Sequence, residues 1–264
     1  MRPILNVFLL LPPLLTFTLI EWGSVSAILL FYKNGIAQLV IIHLIWLILM
    51  GSFIQVMRIN PGKVSRDPSV TYLVRYDNGE QRFCEKCNFI KPDRAHDCYI
   101  CNTCVLKMDH HCPWIYNCVG YYTHKLFILF TFYGFLYCLC LFASFLQLYP
   151  TVKTTDVSYS MELNLFMSIV ASGLFAVALL LFSSLHISYA IRNLTSMEVM
   201  GFRTRFTTRR NLNIFRKSAM DNLKLVMGED VLWWWFPSIP KFKHDGYEFE
   251  LNEEANRLLH VEAV

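Results

Sequence analysis

Apolar side chains gather in four long runs along this chain, at about 6–30, 36–57, 124–148 and 163–190, with polar segments between and after them. A helix needs roughly 20 predominantly apolar residues to cross a hydrocarbon core of ~30 Å, and each run supplies them. The pattern predicts a membrane all-α fold with four transmembrane helices. It divides the chain into helices 1 and 2 (1–57), a polar segment (58–123), helices 3 and 4 (124–190) and a polar tail (191–264). The first run is interrupted by Pro12, Pro13 and Glu21, and Val25-Ser26-Ala27 resembles a signal-peptide cleavage site. A cleaved leader is therefore the competing reading of that run, although the second run would carry the chain in the same direction. Asn60-Pro61-Gly62 reads as a helix stop followed by a turn. The tail predicts a helix near 211–228, then the run Val231-Leu232-Trp233-Trp234-Trp235-Phe236-Pro237, an interfacial anchor because indole prefers the headgroup level.

Charge sets the sidedness. Only 17% of the 264 residues are charged, against about a quarter in soluble domains. Segment 58–123 holds nine Lys/Arg and segment 191–264 holds eleven, while the connections on the other side offer only Lys33 and Lys153. The positive-inside rule then predicts that the 58–123 segment and both termini are cytosolic. A multi-pass protein of an endomembrane (Golgi, ER or vacuole) is expected, rather than of the plasma membrane. Asn193-Leu194-Thr195 is a glycosylation acceptor by sequence, and this sidedness leaves it unmodified. A net charge of +4 is too modest to argue for nucleic acid, and no reading helix accompanies the cysteines, so no nucleic-acid partner is expected.

Seven of the nine cysteines lie between Cys84 and Cys118. In a reducing cytosol such a cluster points to metal rather than disulfides. The spacing is Cys84-x2-Cys87-x10-Cys98-x2-Cys101-x2-Cys104-x4-Asp109-His110-His111-Cys112-x5-Cys118. Cys-x2-Cys knuckles bring two thiolates onto one tetrahedral ion, the usual design of a structural zinc site. Two sites need eight ligands. Six cysteines besides Cys112 and one histidine of the His110/His111 pair supply seven, and His96 or Asp97 must supply the eighth. The count closes only if Cys112 is left free. A spare thiol two residues from His110, with Asp109 adjoining, has the parts of an activated nucleophile. Thiolate is the reactive form, imidazole takes its proton, and a carboxylate fixes the imidazole tautomer.

Asp109-His110-His111-Cys112 within this cysteine framework resembles the DHHC family of protein S-acyltransferases (palmitoyltransferases). Lys91-Pro92-Asp93-Arg94, Leu106-Lys107-Met108, Pro113-Trp114, Asn117-Cys118-Val119-Gly120 and Phe127 also fall where the family pattern wants them. Asn60-Pro61-Gly62 resembles the family's Asp-Pro-Gly turn, and Thr195-Ser196-Met197-Glu198 its Thr-Thr-x-Glu motif. Asn222 with Val226 and Gly228 is similar to its C-terminal motif. The resemblance implies a cytosolic double-zinc domain between helices 2 and 3. It implies Cys112 as the acylated nucleophile, His110 as base and Asp109 as its orienting partner. It implies one zinc on Cys84, Cys87, position 97 and Cys104, and a second on Cys98, Cys101, His111 and Cys118.

Three positions depart from the family. Asp97 stands for histidine, Thr123 for asparagine, and Ser196 for the usual threonine. Carboxylate oxygen is a legitimate zinc ligand, so Asp97 is taken as the eighth, and His96 is left for the donor.

The activity implied is transfer of a long-chain acyl group from palmitoyl-CoA, through acyl-Cys112, to cysteines of membrane-associated proteins. The alternative is a catalytically idle membrane scaffold that binds protein partners through its zinc domain. For the donor, Arg82, Lys91, Arg94 and His96 form a basic set able to hold CoA phosphates. Thr195 is counted with the substrate contacts. Tyr137, at about half-bilayer depth along span three, is expected to close the acyl slot by bonding a serine or backbone carbonyl of a neighbouring helix.

Overall fold

A computed structural model describes residues 3–31, 35–65, 76–77, 80–155, 157–200, 213–253 and 257. Four helices are long and apolar enough to cross a membrane: α1 (Pro3–Phe31), α2 (Ile36–Arg58), α3 (His124–Thr154) and α4 (Tyr159–Arg192). This is a multi-pass membrane protein. Helices α3 and α4 run past the apolar limits read from sequence, because a helix does not stop where lipid stops. Glu162 lies in the first turn of α4, and Lys153 and Arg192 in the last turns of α3 and α4. Each charge opposes the helix dipole at its end.

The chain divides into two compact units. The first comprises Met1–Met57, Pro113–Tyr116 and Phe127–Leu185. Several of its polar side chains find one another, as an apolar solvent favours. Trp22 Nε1 donates to Asn164 Oδ1 at 2.9 Å, Ser26 Oγ to the same oxygen at 3.3 Å, and Trp46 Nε1 to Glu21 Oε1 at 3.2 Å. The small residues that resemble a cleavage site thus form a helix-packing face, with Ser26 and Ala27 buried.

The second unit comprises Arg58–Cys112, Asn117–Leu126 and His186–Val264. It is built on antiparallel hairpins of very short strands: β1 (Tyr76–Asp77) with β2 (Glu80–Gln81), β3 (Phe83–Cys84) with β4 (Phe89–Ile90), β5 (His96–Cys98) with β6 (Thr103–Val105), and β7 (His110–Cys112) with β8 (Asn117–Val119). The Asn60-Pro61-Gly62 turn is locked by Asn60 Oδ1, which accepts from the Gly62 and Lys63 amides at 3.0 and 2.8 Å. The chain then joins the hairpins: Leu106 N–H donates to Gly62 at 2.7 Å, and Val64 N–H to Cys104 at 2.9 Å. Gly120 lies so close to the turn that a Cβ there would sit 2.5 Å from the Pro61 carbonyl oxygen. No other residue fits.

The rest of this unit holds α5 (Ser196–Val199) and α6 (Ala219–Met227). Helix α6 is shorter than the expected 211–228, of which 211 and 212 lie outside the described residues. Ser218 caps it, its hydroxyl accepting from the Asp221 amide at 3.2 Å, so the helix cannot extend further back. Asn222 is fully buried and ties α6 to the end of α4, donating to Ile191 O at 2.8 Å and Lys217 O at 3.1 Å. In the tryptophan run, Trp233 and Trp235 are exposed, while Trp234 Nε1 donates to Gly228 O at 2.8 Å.

Candidate active site and metal clusters

The cysteine clusters follow from hairpin geometry. In an antiparallel pair, residues directly opposite share a face, and successive residues alternate faces. Asp97 lies opposite Cys104, and His111 opposite Cys118. Each such pair is completed by a Cys-x2-Cys turn from the preceding hairpin. Cys84, Cys87, Asp97 and Cys104 converge with ligand atoms within 4.8 Å of one another, as do Cys98, Cys101, His111 and Cys118. Asn88 and Asn102 follow the knuckles with φ of 58° and 52°, a left-handed turn that asparagine tolerates better than most residues.

Both clusters suit a metal ion. In the second, His111 Nδ1 lies 3.4–3.6 Å from three cysteine sulfurs. In the first, Asp97 Oδ1 is buried without a hydrogen-bond partner, while Oδ2 accepts from Lys86 Nζ at 3.0 Å. Alternation along β5 turns His96 away from the face that Asp97 shares with Cys104, so the converging group holds Asp97 and not His96. Cys112 belongs to neither group.

The same alternation explains why two adjacent histidines do different things. With His111 turned to the cysteines, His110 and Cys112 share the opposite face of β7. The His110 imidazole bonds both neighbours, with Nδ1 2.7 Å from Asp109 Oδ2 and a further hydrogen bond to Cys112. Burial disfavours the charged ring, yet those two bonds raise the His110 pKa to about 9. Asp109 is fully buried. Burial alone would raise its pKa; the bond from His110 and the surrounding imidazoles hold it below the usual carboxylate range.

Asp109 is itself fixed by α5. The Ser196 amide donates to Oδ1 at 2.8 Å and the Ser196 hydroxyl to Oδ2 at 2.7 Å. Thr195 caps α5 in a capping box with Glu198. Glu198 in turn takes a bidentate bond from Arg94, Nε to Oε1 at 2.7 Å and Nη2 to Oε2 at 2.8 Å. Arg94 Nη1 donates to Asn193 Oδ1 at 2.7 Å, and its guanidinium lies 5.0 and 5.1 Å from the Phe215 and Phe249 rings. A continuous chain of fixed groups therefore runs from Arg94 to the Cys112 sulfur.

The candidate substrate contacts fall into different places. Arg94, expected to hold phosphate, is 2% exposed and its guanidinium is committed to Glu198 and Asn193. Thr195, expected at the substrate, is buried as a helix cap. Both expectations give way to a structural tie. Arg82 donates to the Ala95 carbonyl at 2.8 Å, and Lys91 is half-buried on the same unit. The His96 pKa is pushed down to about 4 by burial and by the Arg82 charge, so near neutral pH it brings no positive charge. Tyr137, in the first unit, is buried and donates to Ile20 O at 2.9 Å, a carbonyl of a neighbouring helix. Asn193 is 1% exposed with its amide nitrogen bonded to Phe215 O at 2.7 Å. The fold alone would keep a glycan off it, so it cannot report sidedness.

Sequence reasoning discounted Ser196 and missed His124 and His186. The pattern Thr195-x-x-Glu198 signals a capping box, but nothing local signals that Ser196 reaches Asp109 across 87 positions. Thr123, where the family has asparagine, ties the loop before α3, donating to Cys118 O at 2.9 Å and accepting from the Gly120 amide at 3.0 Å.

Four membrane-length helices, two cysteine-rich clusters on hairpins between the second and third, and an aligned carboxylate, imidazole and thiol define a membrane protein with a thiol centre held on hairpins whose cysteine clusters could bind metal ions. Residues 77–202 match the family model described as DHHC palmitoyltransferase. That match takes in 126 of the 264 residues, just under half of the chain. It is 34% identical to palmitoyltransferase ZDHHC15 of Rattus norvegicus over 196 residues, 70% of this chain and 56% of the relative. It is 35% identical to palmitoyltransferase ZDHHC2 of Homo sapiens over 162 residues, 61% of this chain and 44% of the relative. Palmitoyltransferase pfa3 of Aspergillus fumigatus is 38% identical over 148 residues, 55% of this chain and 27% of the relative. The chain spans about half the length of the first two of these relatives.

Proposed function

We propose that this protein is a protein S-acyltransferase that takes a palmitoyl group from palmitoyl-CoA onto Cys112 and passes it to cysteines of membrane-associated proteins. The observation that carries the reading is His110 bonded at once to Asp109 and to Cys112. A passive scaffold has no use for that alignment. The Cys112 thiolate attacks the thioester carbonyl and the CoA thiolate leaves, taking up a proton held by His110. The substrate thiol then gives its proton to His110 and attacks acyl-Cys112, which leaves as thiolate. One thioester is exchanged for another at each step, so no further co-reactant is needed.

Two structural zinc ions would be held by Cys84, Cys87, Asp97 and Cys104 and by Cys98, Cys101, His111 and Cys118. With four protein ligands each they would brace the hairpins and leave the carbonyl chemistry to Cys112 and His110. The excess of Lys and Arg in 58–123 and 191–264 supports a cytosolic position for the hairpins and both termini; an endomembrane is the expected location. Arg82 and Lys91 remain the candidates for the CoA phosphates, and Tyr137 for the floor of the acyl slot.

Incubation of the purified protein with labelled palmitoyl-CoA tests the reading. Wild type is expected to carry hydroxylamine-sensitive label, and Cys112→Ser none, with two zinc ions per chain in both. Label persisting in Cys112→Ser, or zinc lost from it, would overturn the assignment.

A further inference from the structure

Two more imidazoles lie close to Asp109, those of His124 and His186, the second with its ring centroid 5.6 Å from that of His110. Asp109, His124 and His186 are each at most 1% exposed. One ligand atom from each falls within 4.8 Å of the others, and His186 Nδ1 stands 3.9 Å from Asp109 Oδ2. Neither ring nitrogen of His124 has a hydrogen-bond partner among the described residues, although both are buried. A neutral imidazole carries one donor and one acceptor. Leaving both unmet in the interior costs on the order of 2 kcal/mol or more. Something that the described residues do not supply sits against His124.

We propose that Asp109, His124 and His186 form a third metal site, for a divalent first-row cation such as Zn2+, distinct from the two cysteine clusters. The donor set is two imidazoles and one carboxylate, which suits zinc and its neighbours. Three protein ligands leave a coordination position open, unlike the four-ligand cysteine clusters. The carboxylate has room: its oxygens offer about four lone-pair positions, and the bonds from His110, the Ser196 amide and the Ser196 hydroxyl use three. A cation there neutralises the charge that orients His110. Occupancy is therefore inhibitory, and ambient zinc would throttle the thiol centre through its carboxylate. Only this last consequence rests on the acyltransferase reading; the ion binding does not.

The test is a metal count on the full-length protein in detergent, with both cysteine clusters loaded and free Zn2+ raised in steps. Wild type is expected to take a third ion. Both His124→Phe and His186→Phe should stop at two, and retention of those two shows that the hairpins are folded. Co2+ added as the last ion should give a spectrum lacking the thiolate-to-metal band of the cysteine clusters. Excess Zn2+ should slow label incorporation by about tenfold in wild type, the order of one charged hydrogen bond, and leave the His124→Phe rate where it stood without added zinc. A wild type that saturates at two ions overturns the site, and a bridging water then accounts for His124. A third ion that survives His124→Phe, or that vanishes in Cys112→Ser, places the binding elsewhere and overturns it as well.

Discussion

Ser196 grips Asp109 twice, through its amide to Oδ1 at 2.8 Å and through its hydroxyl to Oδ2 at 2.7 Å. The backbone bond survives any substitution but proline, whereas the hydroxyl bond needs serine or threonine. A hydrogen bond to a charged group contributes about 1.5–3 kcal/mol, so Ser196→Ala is expected to slow formation of acyl-Cys112 by about tenfold or more. Ser196→Thr keeps the hydroxyl and should retain most of the rate. Equal losses in the two variants would show that size at position 196 matters and the bond does not.

Arg94 is the far end of the same chain of contacts, and its prediction separates structure from substrate binding. Removing one partner of a buried ion pair costs about 3–5 kcal/mol, because the other charge is stranded. Arg94→Gln is therefore expected to lower the unfolding temperature and the folded yield. In the fraction that folds, KM for palmitoyl-CoA should be unchanged. A phosphate contact would behave differently. It would raise KM for palmitoyl-CoA while sparing palmitoyl-pantetheine, which lacks the phosphates, and that result would return Arg94 to the donor site.

How much of this could be read from the chain depends on how far apart the partners lie. Helices α1 to α4 were legible because lipid imposes a long apolar run on each. The cysteine clusters were legible because their ligands come from turns and cross-strand pairs within 35 residues, Cys84 to Cys118. Strand alternation, once β5 and β7 are known, assigns Asp97 and His111 to the clusters and His96 and His110 to the other face. The partners of Arg94 were not legible, because Glu198 is 104 positions away and a surface arginine and a buried one look alike in sequence. The approach of His124 and His186 to Asp109 was hidden for the same reason, since each lies at the end of a different apolar helix.

Asp97 gives the first cluster a weaker donor than the imidazole of the second. Lys86 lies 3.0 Å from its Oδ2 and competes for the carboxylate. Zinc generally prefers nitrogen and sulfur donors to carboxylate oxygen. A chelator is therefore expected to withdraw one of the two ions of the wild type well before the other. Asp97→His should bring the two release rates together, and Asp97→Ala should leave one ion and a less stable domain, since metal binding in such modules is folding energy. His96→Ala should keep both. The assignment fails if Asp97→Ala retains two ions and His96→Ala loses one.

Tyr137 sits in the first unit at a point where α1 and α3 approach closely. A Cβ on Gly23 would lie 3.0 Å from the Tyr137 hydroxyl and 2.8 Å from Leu141 Cδ1. The absence of a side chain on α1 lets the phenol reach past Gly23 to Ile20 O, 2.9 Å away. That bond satisfies a hydroxyl that lipid would leave unmet. Tyr137 is also 25 positions along the chain from Cys112 and 13 from the start of α3. At ~1.5 Å per residue the latter is roughly 20 Å of helix, comparable to an extended sixteen-carbon chain. If the tail of the acyl group runs alongside α3, Tyr137 closes the slot. Tyr137→Ala should then raise the rate with eighteen- and twenty-carbon donors relative to sixteen. Tyr137→Phe should keep the sixteen-carbon preference, because the ring still fills the space, and lose some thermal stability with the Ile20 bond. Rates of acyl-enzyme formation with donors of fourteen to twenty carbons decide the matter. An unchanged length profile in an active Tyr137→Ala protein would leave Tyr137 as a helix-packing residue and move the end of the slot elsewhere.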